Sequence, residues 1–329
     1  MLKRSKKAFT PQKSIPMRGD DLLIVMGSGS VGSLFGGLVA ATNKEVVLVG
    51  RKPHIQEINT KKLRIIGLHQ LTVKVQAFDC VESICDFLTK KETFLLFTTK
   101  AHQTADAARE LKTLLPESIF LVAIQNGLET EKIIKHYFPK NIVLRGVTSI
   151  GVCRSGPGVV NYTGKGETFL GFHSQTEKSI AEKLKAIFTD AGLETKLEPN
   201  IEGRVFTKTI VNCALNPLTA IYRVKNKEVL LQKPLRALAT KLAQEAWAVA
   251  KALKIELTVE DPIAYTFDVI RKTGENTNSM LTDILNKQKT EIDFLNGKIV
   301  SLGEKLGVDV STNLEIYNKI KTLEQSFQN

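Results

Sequence analysis

Three polar residues recur four positions apart: Lys208, Asn212 and Asn216. In a helix that spacing puts all three on one face. Phe206, Ile210, Val211 and Leu215 fill the other sides, so the helix reads as largely buried. A polar stripe on such a helix is costly to desolvate unless it faces a ligand or water. Lysine is also among the residues least often buried. The stripe therefore reads as the wall of a polar binding site; the competing reading is a lysine snorkelling to solvent beside two internally bonded asparagines. A second polar cluster runs Glu275-Asn276-Thr277-Asn278-Ser279, ahead of Lys289-Thr290-Glu291. By spacing alone, Ser279 reads as the cap of a helix that begins near Met280, and Glu291 as an exposed helix acid.

Near the other end of the chain, Gly27-Ser28-Gly29-Ser30-Val31-Gly32 has the form G-x-G-x-x-G. It follows the apolar run 22–26 and opens a helical stretch, the context in which this pattern binds a dinucleotide. Gly27 permits a tight turn, Gly29 removes a Cβ that would block a pyrophosphate, and Gly32 lets the helix lie close to its strand. The helix N-terminus then offers free N–H groups to the phosphates. The second strand ends in Gly50-Arg51-Lys52, where an NAD enzyme usually carries an acid for the ribose 2′-hydroxyl. Arg51 can grip a 2′-phosphate in a fork, and Lys52 adds charge. The expected cofactor is NADPH/NADP rather than NADH. Lys100 and Asn126 stand at the ends of two further strands, where this fold places its ligand crevice. Lys100 suits a cofactor phosphate or ribose, or a substrate; Asn126 can reach the cofactor near its nicotinamide.

The elements that must position these residues follow from patterning. Runs 22–26, 45–49, 93–97 and 119–123 are buried parallel strands, with helices such as 31–42 and 103–115 between them. Segments 142–153, 158–163 and 167–172, divided by Gly/Pro turns, suggest an antiparallel extension of the sheet. From about residue 200 the pattern is helical. The expected fold is α/β: a Rossmann-type doubly wound sheet with an antiparallel extension, followed by an all-helical C-terminal domain. Its expected parts are a basic N-terminal extension (1–20), a cofactor-binding domain (21–199) and a helical substrate domain (200–329).

Composition narrows the class. The 329 residues hold 46 Lys and Arg against 34 Asp and Glu, a net charge of +12. Six of those cations and no acid lie in residues 1–19, half of the excess. No basic stripe is interleaved with aromatics, so no nucleic-acid partner is expected. No apolar run approaches the roughly 20 residues of a membrane helix. Cys80, Cys85, Cys153 and Cys213 form no C-x-x-C pair and no zinc-ligand spacing, so no metal is expected and the thiols read as reduced and cytoplasmic.

Taken together, Lys208-x-x-x-Asn212-Cys-Ala-Leu-Asn216-Pro-Leu-Thr-Ala220 and Ser279-Met280-Leu281-x-Asp283, with Thr290-Glu291-Ile292-Asp293-x-x-Asn296-Gly297, resemble the ketopantoate reductases. The glycine loop, Thr99-Lys100 and Gln125-Asn126-Gly127 fit in order, and the likeness runs from about residue 22 to about 320. The resemblance implies an active site between a Rossmann-type domain and a helical domain. It implies Lys208 as general acid and Asn126, Asn212, Asn216, Asn276, Ser279 and Glu291 as substrate-binding residues. Gly27 to Gly32, Arg51, Lys100 and Asn126 would hold NADPH. The implied reaction is the NADPH-dependent reduction of a small 2-oxo acid, 2-dehydropantoate (ketopantoate), to (R)-pantoate, on the way to pantothenate and coenzyme A, and the protein is a monomer or homodimer. Two alternatives stand beside this reading: a reductase or dehydrogenase of another small 2-oxo or 3-hydroxy acid, the 3-hydroxy-acid dehydrogenases also using a Lys-x-x-x-Asn helix, and a non-catalytic NADPH sensor, which need not retain Lys208 and Glu291.

Overall fold

The computed structural model describes residues 21–88 and 92–327. The basic extension expected at 1–20 lies outside the described residues. The chain opens with β1 (Leu22–Met26), α1 (Ser30–Ala40), β2 (Glu45–Val49), α2 (Lys52–Lys61), β3 (Leu63–Gly67), β4 (Leu71–Val73) and β5 (Gln76–Phe78). After a 3-10 turn come β6 (Thr93–Phe97), α3 (Thr104–Leu111), β7 (Phe120–Ala123), α4 (Thr130–Tyr137) and β8 (Val143–Thr148). The first half closes with β9 (Gly151–Gly156), β10 (Val159–Gly164), β11 (Thr168–Gly171), α5 (Gln175–Asp190) and β12 (Thr195–Glu198).

Eight strands form one sheet in the order β12-β11-β8-β7-β6-β1-β2-β5. From β5 to β8 every pairing is parallel; β11 runs antiparallel to β8, and β12 is parallel to β11. Every residue of β1 and β6 is buried, as a sheet covered on both faces requires. The chain passes from β1 to β2 on one side and later to β6 on the other. The crevice at the carboxyl ends of β1 and β6 is thus the switch point of the sheet.

Three readings need correction. The antiparallel extension is β11 alone with its partner β12, because β8 (Val143–Thr148) continues the parallel sheet. Strands β9 and β10 belong instead to a second sheet of order β4-β3-β10-β9. Strands β3, β4 and β5 carried too few alternating apolar residues to stand out, yet β3 and β10 pair to build that sheet. Finally, the helix expected at 103–115 ends at Leu111 in a turn that leads to Pro116.

Helix α1 is clamped between the two sheets. A Cβ on Gly36 would sit 2.5 Å from Leu48 of β2, and one on Gly37 would sit 2.8 Å from Leu63 of β3. Glycine inside a helix costs about 0.5–1 kcal/mol against alanine. Here the close approach of α1 to both sheets requires it.

The second half is helical: α6 (Ile201–Tyr222), α7 (Asn226–Leu231), α8 (Lys233–Ala252), α9 (Pro262–Lys272), α10 (Ser279–Leu285), α11 (Asn296–Leu306) and α12 (Ser311–Gln325). Helix α6 is its axis, with Cys213, Ala214 and Leu218 fully buried. Pro217 lies inside α6 and has no N–H for the Cys213 carbonyl one turn back. Asn296 replaces that donor, its Nδ2 reaching Cys213 O at 3.1 Å. Among the described residues no helix is long and apolar enough to cross a membrane.

Candidate active site

The glycine loop wraps from β1 to the end of β2. The amides of Gly27 and Ser28 both donate to Val49 O, at 3.0 and 2.8 Å. Gly27 has φ +102, and a Cβ there would lie 2.5 Å from the Thr99 amide. A Cβ on Gly32 would collide with Gly27 O and with Thr98 Oγ1, so the helix meets the strand closely. At Gly29 a Cβ would meet nothing of the protein nearer than 3.9 Å, which leaves that side open to a ligand. Helix α1 starts at Ser30 with no side-chain cap, and the first amides of a helix have no acceptor within it. The loop therefore fits a pyrophosphate. Arg51, at the N-cap of α2, is exposed at the carboxyl end of β2, where the ribose of such a ligand would lie.

The reacting cluster joins both halves of the molecule. From α6, Lys208 Nζ donates to Asn126 Oδ1 at 2.7 Å and to the carbonyl of Thr148, at the end of β8, at 2.6 Å. Asn126 in turn donates from Nδ2 to Glu291 Oε2 at 3.1 Å. The other carboxylate oxygen of Glu291 accepts from the Ala101 amide at 3.1 Å. Lys100 and Asp283 of α10 form an ion pair of 2.7 Å.

Arg145 of β8 lies beneath this cluster, buried. Its guanidinium donates to the carbonyls of Ala123, Gln125 and Gly127 at 3.0, 2.8 and 2.9 Å. Three bonds fix the backbone on both sides of Asn126, which holds its amide toward Lys208. Glu131 balances the charge, 3.3 Å from Arg145 Nε.

These surroundings set the charge states. Burial and the nearby Arg145 lower the Lys208 pKa to about 8, against the opposing pull of Glu291. Burial raises the Asp283 carboxyl to about 6, with Lys100 pulling the other way. Lys100 is itself desolvated, but Glu291 and Asp283 outweigh this and hold its pKa above the usual lysine range. Of the two lysines, Lys208 is the one able to give up a proton near neutrality.

A model of the family described as ketopantoate reductase PanE/ApbA matches residues 23–175, and one of its C-terminal domain matches residues 200–324. A 2-dehydropantoate 2-reductase of Pyrococcus abyssi is 35% identical over 302 residues, covering 92% of this chain and 97% of that one. The chain belongs to the ketopantoate reductase family.

Another relative of that name, from Archaeoglobus fulgidus, is 32% identical over 91% of this chain and 97% of its own. Among solved structures, a PanE/ApbA family ketopantoate reductase from Ralstonia eutropha superposes with a TM-score of 0.85 at 28% identity, over 94% of this chain and all of that one. A D-mandelate dehydrogenase solved with NADH and anilino(oxo)acetate reaches a TM-score of 0.86 at 25% identity, with the same coverage.

Set out on this ketopantoate reductase fold, the residues singled out by motif divide into three groups. Lys208, Asn126, Glu291 and Lys100 come together across the cleft. Asn212 lines the same recess as Lys208 and Asn126. Among the described residues, the side chains of Asn212 and Asn216 make no hydrogen bond. Lys208 thus does not snorkel to solvent but bonds across to Asn126 and Thr148, and the two asparagines beside it are not bonded internally.

Asn276 and Ser279 are exposed and make no side-chain bond to that cluster. The reading of Ser279 as helix cap is wrong: Asn278 is the cap, accepting from the Leu281 amide at 3.1 Å, and Ser279 is the first helical residue. Asn278 also donates to Asn226 at 3.2 Å, which fixes the start of α10. Ser279 precedes Asp283 by one turn and shares its face of α10. Glu291 is no exposed helix acid: it is buried, 6% exposed, outside any α-helix.

Arg145, Thr148 and Asp283 were not assigned from sequence. A charge inside the apolar run Val143-Leu144-Arg145-Gly146-Val147 was the available signal for Arg145, since a buried cation needs a structural reason. Thr148 acts through its backbone carbonyl, which no side-chain pattern reveals.

Proposed function

We propose that this chain catalyses the NADPH-dependent reduction of 2-dehydropantoate to (R)-pantoate, a step toward pantothenate and coenzyme A. Balanced, 2-dehydropantoate, NADPH and a proton give pantoate and NADP⁺. The observation that carries this reading is the Lys208 ammonium, half-buried beside Asn126 and Glu291 between the dinucleotide loop and the helical half. The nicotinamide, when bound, supplies a hydride to the ketone carbon.

Lys208 meets the charge that develops on the ketone oxygen and delivers the proton there. Asn126, held by Arg145, orients the ammonium. The unbonded amides of Asn212 and Asn216 donate to the substrate carboxylate, and Ser279 contributes from α10. Glu291 accepts from the substrate hydroxyl. A site built to bond a hydroxyl strongly rejects analogues without one. The spacing of the glycine loop supports a dinucleotide, and Arg51 in place of an acid supports NADPH over NADH.

The likeness to a D-mandelate dehydrogenase solved with NADH favours a second reading, an NADH-dependent reductase of another 2-oxo acid. One assay separates them: cofactor oxidation with ketopantoate, 2-oxoisovalerate or acetoacetate, each with NADPH and with NADH. The first reading expects ketopantoate with NADPH to give the highest kcat/KM. A preference for 2-oxoisovalerate or for NADH would overturn it, and turnover of acetoacetate alone would favour a 3-hydroxy-acid dehydrogenase.

A further inference from the structure

The second sheet has a use beyond packing. Its β9–β10 turn is seated on the first two turns of α2. Gly158, with φ +69, lies against Glu57, where a Cβ on the glycine would be 3.0 Å from the Glu57 Cβ. The Gly158 amide donates to His54 Nδ1 at 2.9 Å. The ring proton must then sit on Nε2, which donates to Ser33 Oγ of α1 at 2.9 Å. Ser33 passes the chain on, its hydroxyl donating to the Ser28 carbonyl at 3.1 Å. Three bonds thus tie the hairpin, through α2 and α1, to the glycine loop. Burial and then Arg154 lower the His54 pKa to about 4, so the ring is neutral and the chain of bonds intact at ordinary pH.

Arg154 stands on β9 just before this turn. It pairs with Val160 across an irregular register, and Val160 pairs with Ile65. Residues directly opposite share a face. Val160 and Ile65 are both fully buried, and Ile65 packs against Gly37 of α1. Arg154 therefore projects from the helix side of the second sheet, the side on which α2 begins with Arg51. Burial and then the charge of Arg51 hold the Arg154 pKa below the usual arginine range. Among the described residues neither arginine has a carboxylate partner. Two exposed arginines on adjoining elements, the hairpin bonded to α2 one turn from Arg51 and neither cation carrying a carboxylate partner, suit a dianion.

We propose that Arg154 is a second arginine of the 2′-phosphate subsite, delivered beside Arg51 by the β9–β10 hairpin and registered to the glycine loop through His54 and Ser33. The ligand class is a phosphomonoester on the adenosine ribose. This inference rests on the NADPH reading above.

The test compares kcat/KM for NADPH and NADH, with ketopantoate saturating, in wild type, R51A, R154A and R154K. The probes 2′-AMP and 5′-AMP serve as competitive inhibitors, which separates a ribose 2′-phosphate from phosphate in general. R154A is expected to lose about 10-fold in kcat/KM for NADPH and in affinity for 2′-AMP, with NADH and 5′-AMP unchanged. R154K should recover part of that loss. Equal losses for NADPH and NADH, or no loss in R154A while R51A discriminates, would overturn the proposal and leave the NADPH reading standing. A wild type indifferent to the 2′-phosphate would overturn both.

Discussion

Lys208 and Asn126 are 82 residues apart in the chain and 2.7 Å apart in space, the lysine Nζ donating to the amide oxygen. This bond spans the cleft between the helical half and the end of β7. It leaves the amide Nδ2 facing Glu291, so one carboxamide connects the proposed acid to the proposed substrate-binding carboxylate. The arrangement has consequences for pH dependence, ligand affinity and stability.

Only protonated Lys208 can act as the acid, and its pKa is lowered to about 8. Activity should therefore be retained below that pH and lost as pH rises through it. We expect kcat/KM for ketopantoate to fall by about tenfold per pH unit on the alkaline side. Replacing Arg145 by Met removes a cation that lowers the Lys208 pKa, so the alkaline limb should move to higher pH, whereas Arg145→Lys should move it less. A limb that stays in place in a folded Arg145→Met protein would detach Arg145 from the acid.

Glu291→Ala should weaken ketopantoate binding at least 10-fold, the scale of a lost charge-assisted bond, with little change for NADPH. The carboxylate also accepts from the Ala101 amide, so a modest drop in melting temperature is expected as well. Calorimetric titration of each ligand separates the two effects. Loss of NADPH affinity alone would put Glu291 on the wrong ligand.

Asn296 and Pro217 should be energetically coupled. Asn296→Leu leaves the Cys213 carbonyl without its donor in a buried site, at a cost of about 1–3 kcal/mol. In a Pro217→Ala background the helix supplies its own N–H to that carbonyl, so the same Asn296→Leu change should cost less. Urea denaturation of the four proteins of this cycle measures the coupling. Additive losses would contradict it.

Much of this was legible in the sequence, for identifiable reasons. Strands buried on both faces, such as Leu22–Met26 and Thr93–Phe97, announce themselves as continuous apolar runs. The stripe on α6 was visible because Lys208 and Asn212 are anomalous among buried neighbours. The second sheet was not, because β3 and β4 are short, and their pairing with β10 is set by tertiary contact with α1. Ser279 was misread as a cap because Asn278 and Ser279 are both good caps, and only the backbone turn chooses between them. Asn296 stood in the motif without a role, since its partner is a backbone carbonyl exposed by a proline 79 positions earlier.

The most direct test of the account is steady-state turnover of ketopantoate by Lys208→Ala, alongside fluorescence titration with NADPH. A lost general acid costs about 10²–10⁴-fold in kcat. The contact strengthens as charge builds on the ketone oxygen, so the loss should fall on turnover. The affinity for NADPH should hold, since the glycine loop and Arg51 lie in the other half of the molecule. Turnover within a few-fold of wild type would remove Lys208 from the reaction and turn attention to Lys100, the other lysine at the cleft.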